Sequence, residues 1–581
     1  MRQKMSGARF IAETFKGYGV THVFFVEAIL RRALMAMESL GIQRVLTHSE
    51  KAAAYMADGY ARVTHRPGVC MAQSVGAANQ ASGLQDPYLG RSPVIGITGR
   101  KNLMAQYRHA YQEILHGPMY EPVTKYNVNI DSVDQLPYLL RQAFREATSG
   151  TPGPVHLDLL GHQGERIEEG EADLEVLVEE SFTRYPARRP EPESEYVREA
   201  ARLLEKAEKP VIVAGGGAAA SSAGPEIVQV AEMMSIPVAT SLNGKEIILE
   251  NHPLNVGVVG RYSRRCANQV VAEADLVLFI GSSTGDHVTH GWTIPPLGTA
   301  VIQIDINPSE LGRSYSNVAG LMGDAKVIVR RLLESLTAKG SLSPWAKYAL
   351  KLVQEWRDEL EPLRNSNASP IRPERLCKEL TECLPASAVL VADTGHAAIW
   401  SGTMVYLTHP GQSYIRCAGS LGWAFPASLG AKCGAPERPV VCFTGDGGFW
   451  YHLGELETAR RCNIKTVTVV NNNSALGQCL KPVRKLYGNG PGNPDEMCRF
   501  GDVSFAAIAK EMGCLGIRVA QPGDIAEALQ KALAADLPAV VEVVTDAECA
   551  PANPWSPPAW TPEGLGAAAK HAASSRVRKD L

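Results

Sequence analysis

A chain of 581 residues is too long for one hydrophobic core and implies three or four domains. With 45% hydrophobic and 20% charged residues and a net charge of −3, it excludes a polybasic binder of nucleic acid or anionic membrane. No apolar run reaches the ~20 residues of a membrane span, and twelve cysteines without a CxxC pair read as core residues of a reduced, cytoplasmic protein.

The N-terminal segment carries Glu13 and Lys16 and has no signal-peptide core. Residues 23–29 form an apolar strand ending in Glu27, either an exposed turn carboxylate or a substrate-side group. Thr47-x-x-Glu50 fits a capping box opening an Ala-rich helix, Lys51 to Arg62. Pro93 to Ile97 is another apolar strand, and Arg184 to Pro192 is a proline-rich joint. The middle block repeats the alternation with Val211–Val213, Leu276–Ile280 and Val301–Ile304. Its Gly215-x-Gly217-x-x-Ala220 follows a strand, but the acidic residue expected about 20 positions later is absent, which argues against a nicotinamide site. A second joint is expected around Pro362 to Pro373. Unalternated apolar strands joined by helices predict doubly wound parallel sheets, in α/β domains at 1–185, 193–340 and 365–550, with a tail at 551–581.

In the third block, Val440-Val441-Cys442-Phe443-Thr444 runs into Gly445-Asp446-Gly447-Gly448. A helix is predicted over Tyr451 to Cys462, and Thr466–Val470 leads into Asn471-Asn472-Asn473. This is a βαβ unit of about 30 residues, and its parallel strands set Asp446 and Asn473 side by side at their carboxyl ends, where open α/β sheets bind ligands. A carboxylate, an amide oxygen and a nearby backbone carbonyl form an incomplete oxygen shell of the kind Mg²⁺ takes when a diphosphate supplies the rest. The glycines allow close approach of a phosphate.

The joint spacing of Gly445-Asp446-Gly447, Glu455-Leu456-x-Thr458-Ala459, the asparagines and Gly477 resembles the thiamine diphosphate enzymes, in particular the acetolactate synthase group, over roughly residues 5 to 545. The resemblance implies three domains: pyrimidine-binding, central and diphosphate-binding. It implies thiamine diphosphate and Mg²⁺, with Asp446, Asn473 and Ala475 on the metal and His396, Gly445, Gly447 and Gly448 near the diphosphate. Gly419 would accept from the 4′-amino group through its carbonyl, and Leu421 would wedge between the cofactor rings. Glu50 would meet N1′ of the aminopyrimidine and stabilise the tautomer that removes the C2 proton. Ala110-Tyr111-Gln112-Glu113 resembles a segment lining the substrate side, which makes Gln112 a second catalytic candidate. The site would form between two subunits of a homodimer or homotetramer.

Some stretches depart from the acetolactate synthase pattern. Residues 23–29 lack its Pro-Gly-Gly turn, Ser74-Val75-Gly76-Ala77 replaces Ser-Gly-Pro-Gly, and residues 474–479 lack its large residues for 2-oxo acid selection. The resemblance leaves three uses open for the central domain: FAD held without redox work, an ADP or CoA moiety, or none. The leading expectation is a carboligase that decarboxylates a 2-oxo acid and passes the acyl carbanion to a second carbonyl. The alternatives are an acyl-CoA enzyme of the 2-hydroxyacyl-CoA lyase or oxalyl-CoA decarboxylase type, favoured by the basic tail at Arg576, Arg578 and Lys579, and a simple 2-oxo acid decarboxylase.

Overall fold

The structure, a computed structural model, describes residues 2–557; the basic tail at Arg576, Arg578 and Lys579 lies outside them. The chain divides into two compact units: Met1–Arg189 with Pro362–Pro551, and Pro190–Glu361 with the residues from Ala552. The first unit contains two six-stranded parallel sheets and the second contains one. Among the described residues, no helix is long and apolar enough to cross a membrane. All twelve cysteines are free thiols.

The two sheets of the first unit share a topology. The N-terminal sheet is built from His22–Phe25, Gln43–Leu46, Gly68–Ala72, Val94–Arg100, Tyr126–Ile130 and Val155–Leu160. The C-terminal sheet uses Val389–Ala392, Ser413–Arg416, Val440–Gly445, Val467–Asn472, Leu515–Val519 and Ala539–Val544. Numbered along the chain, the strands of each sheet lie in the order 2-1-3-4-6-5. The order reverses between strands one and three, which opens a crevice at their carboxyl ends. The central sheet of the second unit, from Pro210–Ala214 to Ala319–Met322, has the order 3-2-1-4-5-6. Central strands such as Val94–Arg100, Pro210–Ala214 and Leu276–Ile280 are buried along their whole length, as expected of parallel sheets covered on both faces.

The N- and C-terminal sheets of the first unit are joined by two small-residue helices, Glu50–Thr64 and Ala424–Gly434. Residues 52–61 of the first and 424–431 of the second are all buried. Their backbones meet at two glycines: a Cβ on Gly59 would overlap Ala427 O, and one on Gly430 would overlap Met56 O. Apolar surface on every side of a helix requires partners on every side. Here the partners are the two sheets and the other helix.

Three local expectations need correction. The helix after Leu46 is capped by Ser49, whose side chain accepts from Ala52 N, not by Thr47. Thr47 Oγ1 instead donates to Phe25 O and Ser49 O at 3.2 and 2.9 Å, so no capping box forms. Of the helix expected over Tyr451 to Cys462 only Glu455–Arg461 is helical; Tyr451–Gly454 is a turn that follows a separate short helix, Asp446–Trp450. Pro362 lies inside the helix Pro344–Arg364, so the joint begins after Arg364.

Gly430→Ala should lower the unfolding midpoint by several degrees, with about 3 kcal/mol lost to a clash that only backbone movement relieves. An unchanged thermal midpoint would show that the two helices do not cross this closely.

Candidate functional site

Each half of the expected site sits at the carboxyl end of one sheet of the first unit. In the C-terminal sheet, Gly445 and Asn471 are register partners on adjacent parallel strands. Asp446 stands one residue past Gly445 and Asn473 two past Asn471, so both lie where the two strands end. Asp446 Oδ2 accepts from Ala475 N at 2.9 Å, and Asn473 Oδ1 lies 3.1 Å from the same nitrogen. Of the asparagine triplet, only Asn473 is at the tip. Asn471 Oδ1 accepts from Thr545 Oγ1 and Asn472 Nδ2 donates to Glu542 Oε1, both buried.

The Asp446 carboxyl is buried, and burial pushes it up to about 7, against backbone N–H groups led by that of Gly447. Among the described residues it has no ion pair with lysine, arginine or histidine. A buried carboxylate without a cation is expensive, and an amide oxygen beside it makes a donor set that suits a hard divalent ion. The structure places Asp446, Asn473 and Ala475 together as expected, with the Ala475 N–H turned toward the two oxygens.

The surrounding backbone forms a cradle. A Cβ on Gly445 or Gly419 would meet no atom within 4 Å. Gly447 and Gly448 are needed for the opposite reason: their Cβ atoms would lie 2.6 Å from Leu476 Cδ2 and 2.9 Å from Thr444 Oγ1. His396 opens the helix His396–Met404, and its Nδ1 would be 3.1 Å from a Cβ on Gly477. Burial, reinforced by the charge of Lys481, pushes His396 down to about 4, so it is neutral near pH 7 and offers a hydrogen bond without a charge. Leu421 is half-buried beside the exposed Gly419, in a loop tied to Asp393, whose carboxylate accepts from Gly422 N and Ala424 N at 3.1 Å each.

In the N-terminal sheet, Glu50 is the first residue of its helix, and its Oε2 accepts from Asn79 Nδ2 at 3.0 Å. Any side chain at Gly76 would collide with Glu50 Oε1. Gly76 thus belongs to the loop that sets the carboxylate. Ser74 Oγ in that loop donates to Gln112 O at 2.7 Å, while Ser74 O lies 2.9 Å from Nε2 of the buried His116, held by Asp158. Gln112 has a left-handed backbone, φ +59°, and its buried Oε1 has no partner. Gln112 lies with Tyr107, His109, Ala110, Glu113 and Leu115 around a hollow of about 590 Å³. Where the Pro-Gly-Gly turn is missing, Ala28 and Leu30 themselves take left-handed conformations, φ +83° and +45°. Glu27 there is exposed and paired with Arg31.

The loop Ala418–Ser420 is also held from the first domain. Asp86, fully buried, accepts from Ala418 N at 2.9 and 3.0 Å, from Gly419 N at 3.3 Å and from Ser420 N at 3.1 Å. Arg62 bridges Asp86 and Asp58, and Asp58 accepts from Trp423 Nε1 at 2.9 Å. Asp86, Arg62, Asp58, Trp423, Asp393 and Asn79 are not singled out as site residues by the sequence reading. The available signals were a lone carboxylate within the apolar helix Ala77–Gly90, and Asp393-Thr394-Gly395 at a strand end, which parallels Gly445-Asp446-Gly447. Among the described residues, no hydrogen bond joins Glu50 to Asp446 of the same chain.

Three family models match the chain: the thiamine pyrophosphate enzyme N-terminal TPP binding domain over residues 5–119, the central domain over 197–332, and the C-terminal TPP binding domain over 393–543. The probable acetolactate synthase large subunit of Methanocaldococcus jannaschii is 32% identical, over 95% of this chain and 94% of that protein. The corresponding protein of Methanococcus aeolicus is 30% identical over 88% of this chain and 87% of its own length. The acetolactate synthase isozyme 2 large subunit of Escherichia coli is 28% identical over 93% and 96%.

Asp86→Ala should cost about 3–5 kcal/mol, because Arg62 loses a partner and three backbone N–H groups lose their acceptor. Thermal unfolding of the purified variant reads this directly; an unchanged midpoint would mean the Ala418–Ser420 loop is held by other contacts.

Proposed function

Because the chain belongs to the thiamine pyrophosphate enzymes and is acetolactate synthase-like, we propose that it joins two 2-oxo acids, decarboxylating the donor and transferring its acyl group to the carbonyl of the acceptor. The observation that carries this reading is the buried, cation-free Asp446 beside Asn473, facing a glycine cradle. A thiamine diphosphate bound there supplies a C2 carbon able to stabilise the negative charge left when CO₂ departs.

The chain's own residues divide the remaining work. Asp446, Asn473 and Ala475 would hold Mg²⁺, and His396, Gly445, Gly447 and Gly448 would line the diphosphate. Gly419 O would accept from the pyrimidine amino group, and the half-buried Leu421 would support the bent cofactor. Glu50, held by Asn79 and given its room by the missing side chain at Gly76, would exchange a proton with the pyrimidine ring as its acid–base partner. Gln112, with its buried oxygen unpartnered, would face substrate.

Flavin stays outside the proposal. In the central domain the amides of Gly215 and Gly217 donate to Ile280 O and Gly281 O at 2.8 and 2.9 Å, which packs the glycine-rich turn on the end of the neighbouring strand. Homodimer or homotetramer assembly is part of it. Leu103, Met104, Tyr107, Tyr111 and Leu115 expose 59–81% of their surface on the loop beside Glu50, an apolar strip that a second copy would cover. Twelve free thiols support a cytoplasmic setting.

Incubation with cofactor, Mg²⁺ and a panel of 2-oxo acids and acyl-CoAs, read by mass spectrometry, should yield 2-hydroxy-2-oxo acids. Products from 2-hydroxyacyl-CoA alone would overturn the reading. Glu50→Gln should keep the fold and Mg²⁺-dependent cofactor binding but slow exchange of the cofactor C2 proton by at least 100-fold, on the order of a lost acid–base group. Near-normal exchange in that variant would remove Glu50 from the chemistry.

A further inference from the structure

Three neighbouring strands of the N-terminal sheet, Gly68–Ala72, Val94–Arg100 and Val155–Leu160, end together. Their carboxyl ends continue into Gln73–Gly76, Lys101 and Gly161–His162. Gly161 N donates to Arg100 O at 2.9 Å, Ser74 N donates to His162 O at 3.4 Å, and Leu30 N donates to Gln163 O at 2.9 Å. Lys101 and His162 therefore belong to the loop cluster that includes Gly76, the residue against Glu50.

Lys101 is half-buried, and its partners are neutral. Nζ donates to His162 Nδ1 at 2.9 Å and lies 5.9 Å from the centre of the Tyr111 ring. Among the described residues, no carboxylate forms an ion pair with Lys101; Glu165, in the same loop as His162, accepts from Gln163 N at 2.8 Å. Burial and the Lys101 charge push the His162 imidazole down, so the ring is neutral and can accept from the ammonium. An accepting Nδ1 fixes the tautomer with hydrogen on Nε2. The pair thus leaves two ammonium N–H groups and one imidazole N–H as donors; Glu165 is the anion near His162, and its Oε2 is engaged by Gln163 N.

The proposed reaction has two carboxylates, and a fixed cation treats them differently. The donor loses its carboxylate as CO₂, so an ion pair with it would stabilise the ground state and slow the step. The acceptor keeps its carboxylate: a C–C bond forms between the donor's acyl carbon and the acceptor's carbonyl carbon. The acceptor's carbonyl oxygen takes a proton to become a hydroxyl, and no oxidant is needed. We propose that Lys101, oriented by His162, binds the retained carboxylate of the acceptor 2-oxo acid and makes this chain prefer an acid over a neutral aldehyde as acceptor. The inference rests on the carboligase reading above.

The full chain loaded with thiamine diphosphate and Mg²⁺ tests it in two ways. Saturation-transfer NMR with lactate and its neutral amide, neither of which turns over, should show at least tenfold tighter binding of lactate. Lys101→Arg should keep that preference and Lys101→Met should lose it. In turnover, Lys101→Met should raise the KM for pyruvate as acceptor at least tenfold and shift product toward acetaldehyde as acceptor, while CO₂ release changes less than threefold. A Lys101→Met enzyme that still prefers lactate, or that loses CO₂ release in parallel with carboligation, would overturn the proposal. A wild-type enzyme that makes no C–C bonded product from 2-oxo acids would overturn the functional reading, and the lactate preference would remain readable on its own.

Discussion

The burial of one carboxylate beside one amide oxygen, at the tips of two adjacent parallel strands, is the constraint around which the C-terminal half of the site is arranged. Asp446 and Asn473 converge on a single N–H, that of Ala475, and no cationic side chain is paired with Asp446 among the described residues. A charged group in that position requires compensation from outside the polypeptide. The glycines around it follow from the same requirement. Gly447 and Gly448 let the chain fold tightly onto Leu476 and Thr444, while Gly445 and Gly419 keep their free space open.

The fold delivers a second such mouth by repeating its topology. Both sheets of the first unit have the order 2-1-3-4-6-5, so each opens a crevice at the same place in its own frame. One crevice carries Asp446 and the other carries Glu50. Asp86 couples them within a chain: it belongs to the N-terminal domain yet supplies the acceptor for the Ala418–Ser420 amides of the C-terminal one. That loop also answers to Asp393, so both of its ends are tied to buried carboxylates. The two glycine contacts between Glu50–Thr64 and Ala424–Gly434 bring the domains close enough for this reach.

Much of this is legible in the sequence. Parallel-sheet strands announce themselves as unbroken apolar runs, and Leu276–Ile280 was read to the residue. The Gly445-Asp446-Gly447 turn and Asn473 were legible because the chemistry needs particular residue types at a particular separation. What escaped was set by tertiary partners. The turn at Tyr451–Gly454 interrupts a helical pattern because Glu455 turns back to accept from His48 N, a contact 407 residues apart in sequence. Ser49 takes the cap expected of Thr47 because Thr47 Oγ1 is spent on Phe25 O and Ser49 O, the first of them on a neighbouring strand. The ionic cluster of Asp86, Asp58 and Arg62 leaves no mark in the sequence, since it exists only once two distant helices are placed together. Ala28 and Leu30 adopt left-handed backbone without being glycine, a conformation their residue types do not announce.

The central claim is that Asp446 and Asn473 hold a divalent ion that clamps a diphosphate. Titration calorimetry of the full chain with thiamine diphosphate, with and without Mg²⁺, tests it most directly. The account predicts association that requires Mg²⁺ and disappears in Asp446→Ala, with that variant still folded by circular dichroism. Association that ignores Mg²⁺, or that survives loss of the Asp446 carboxylate, would contradict it.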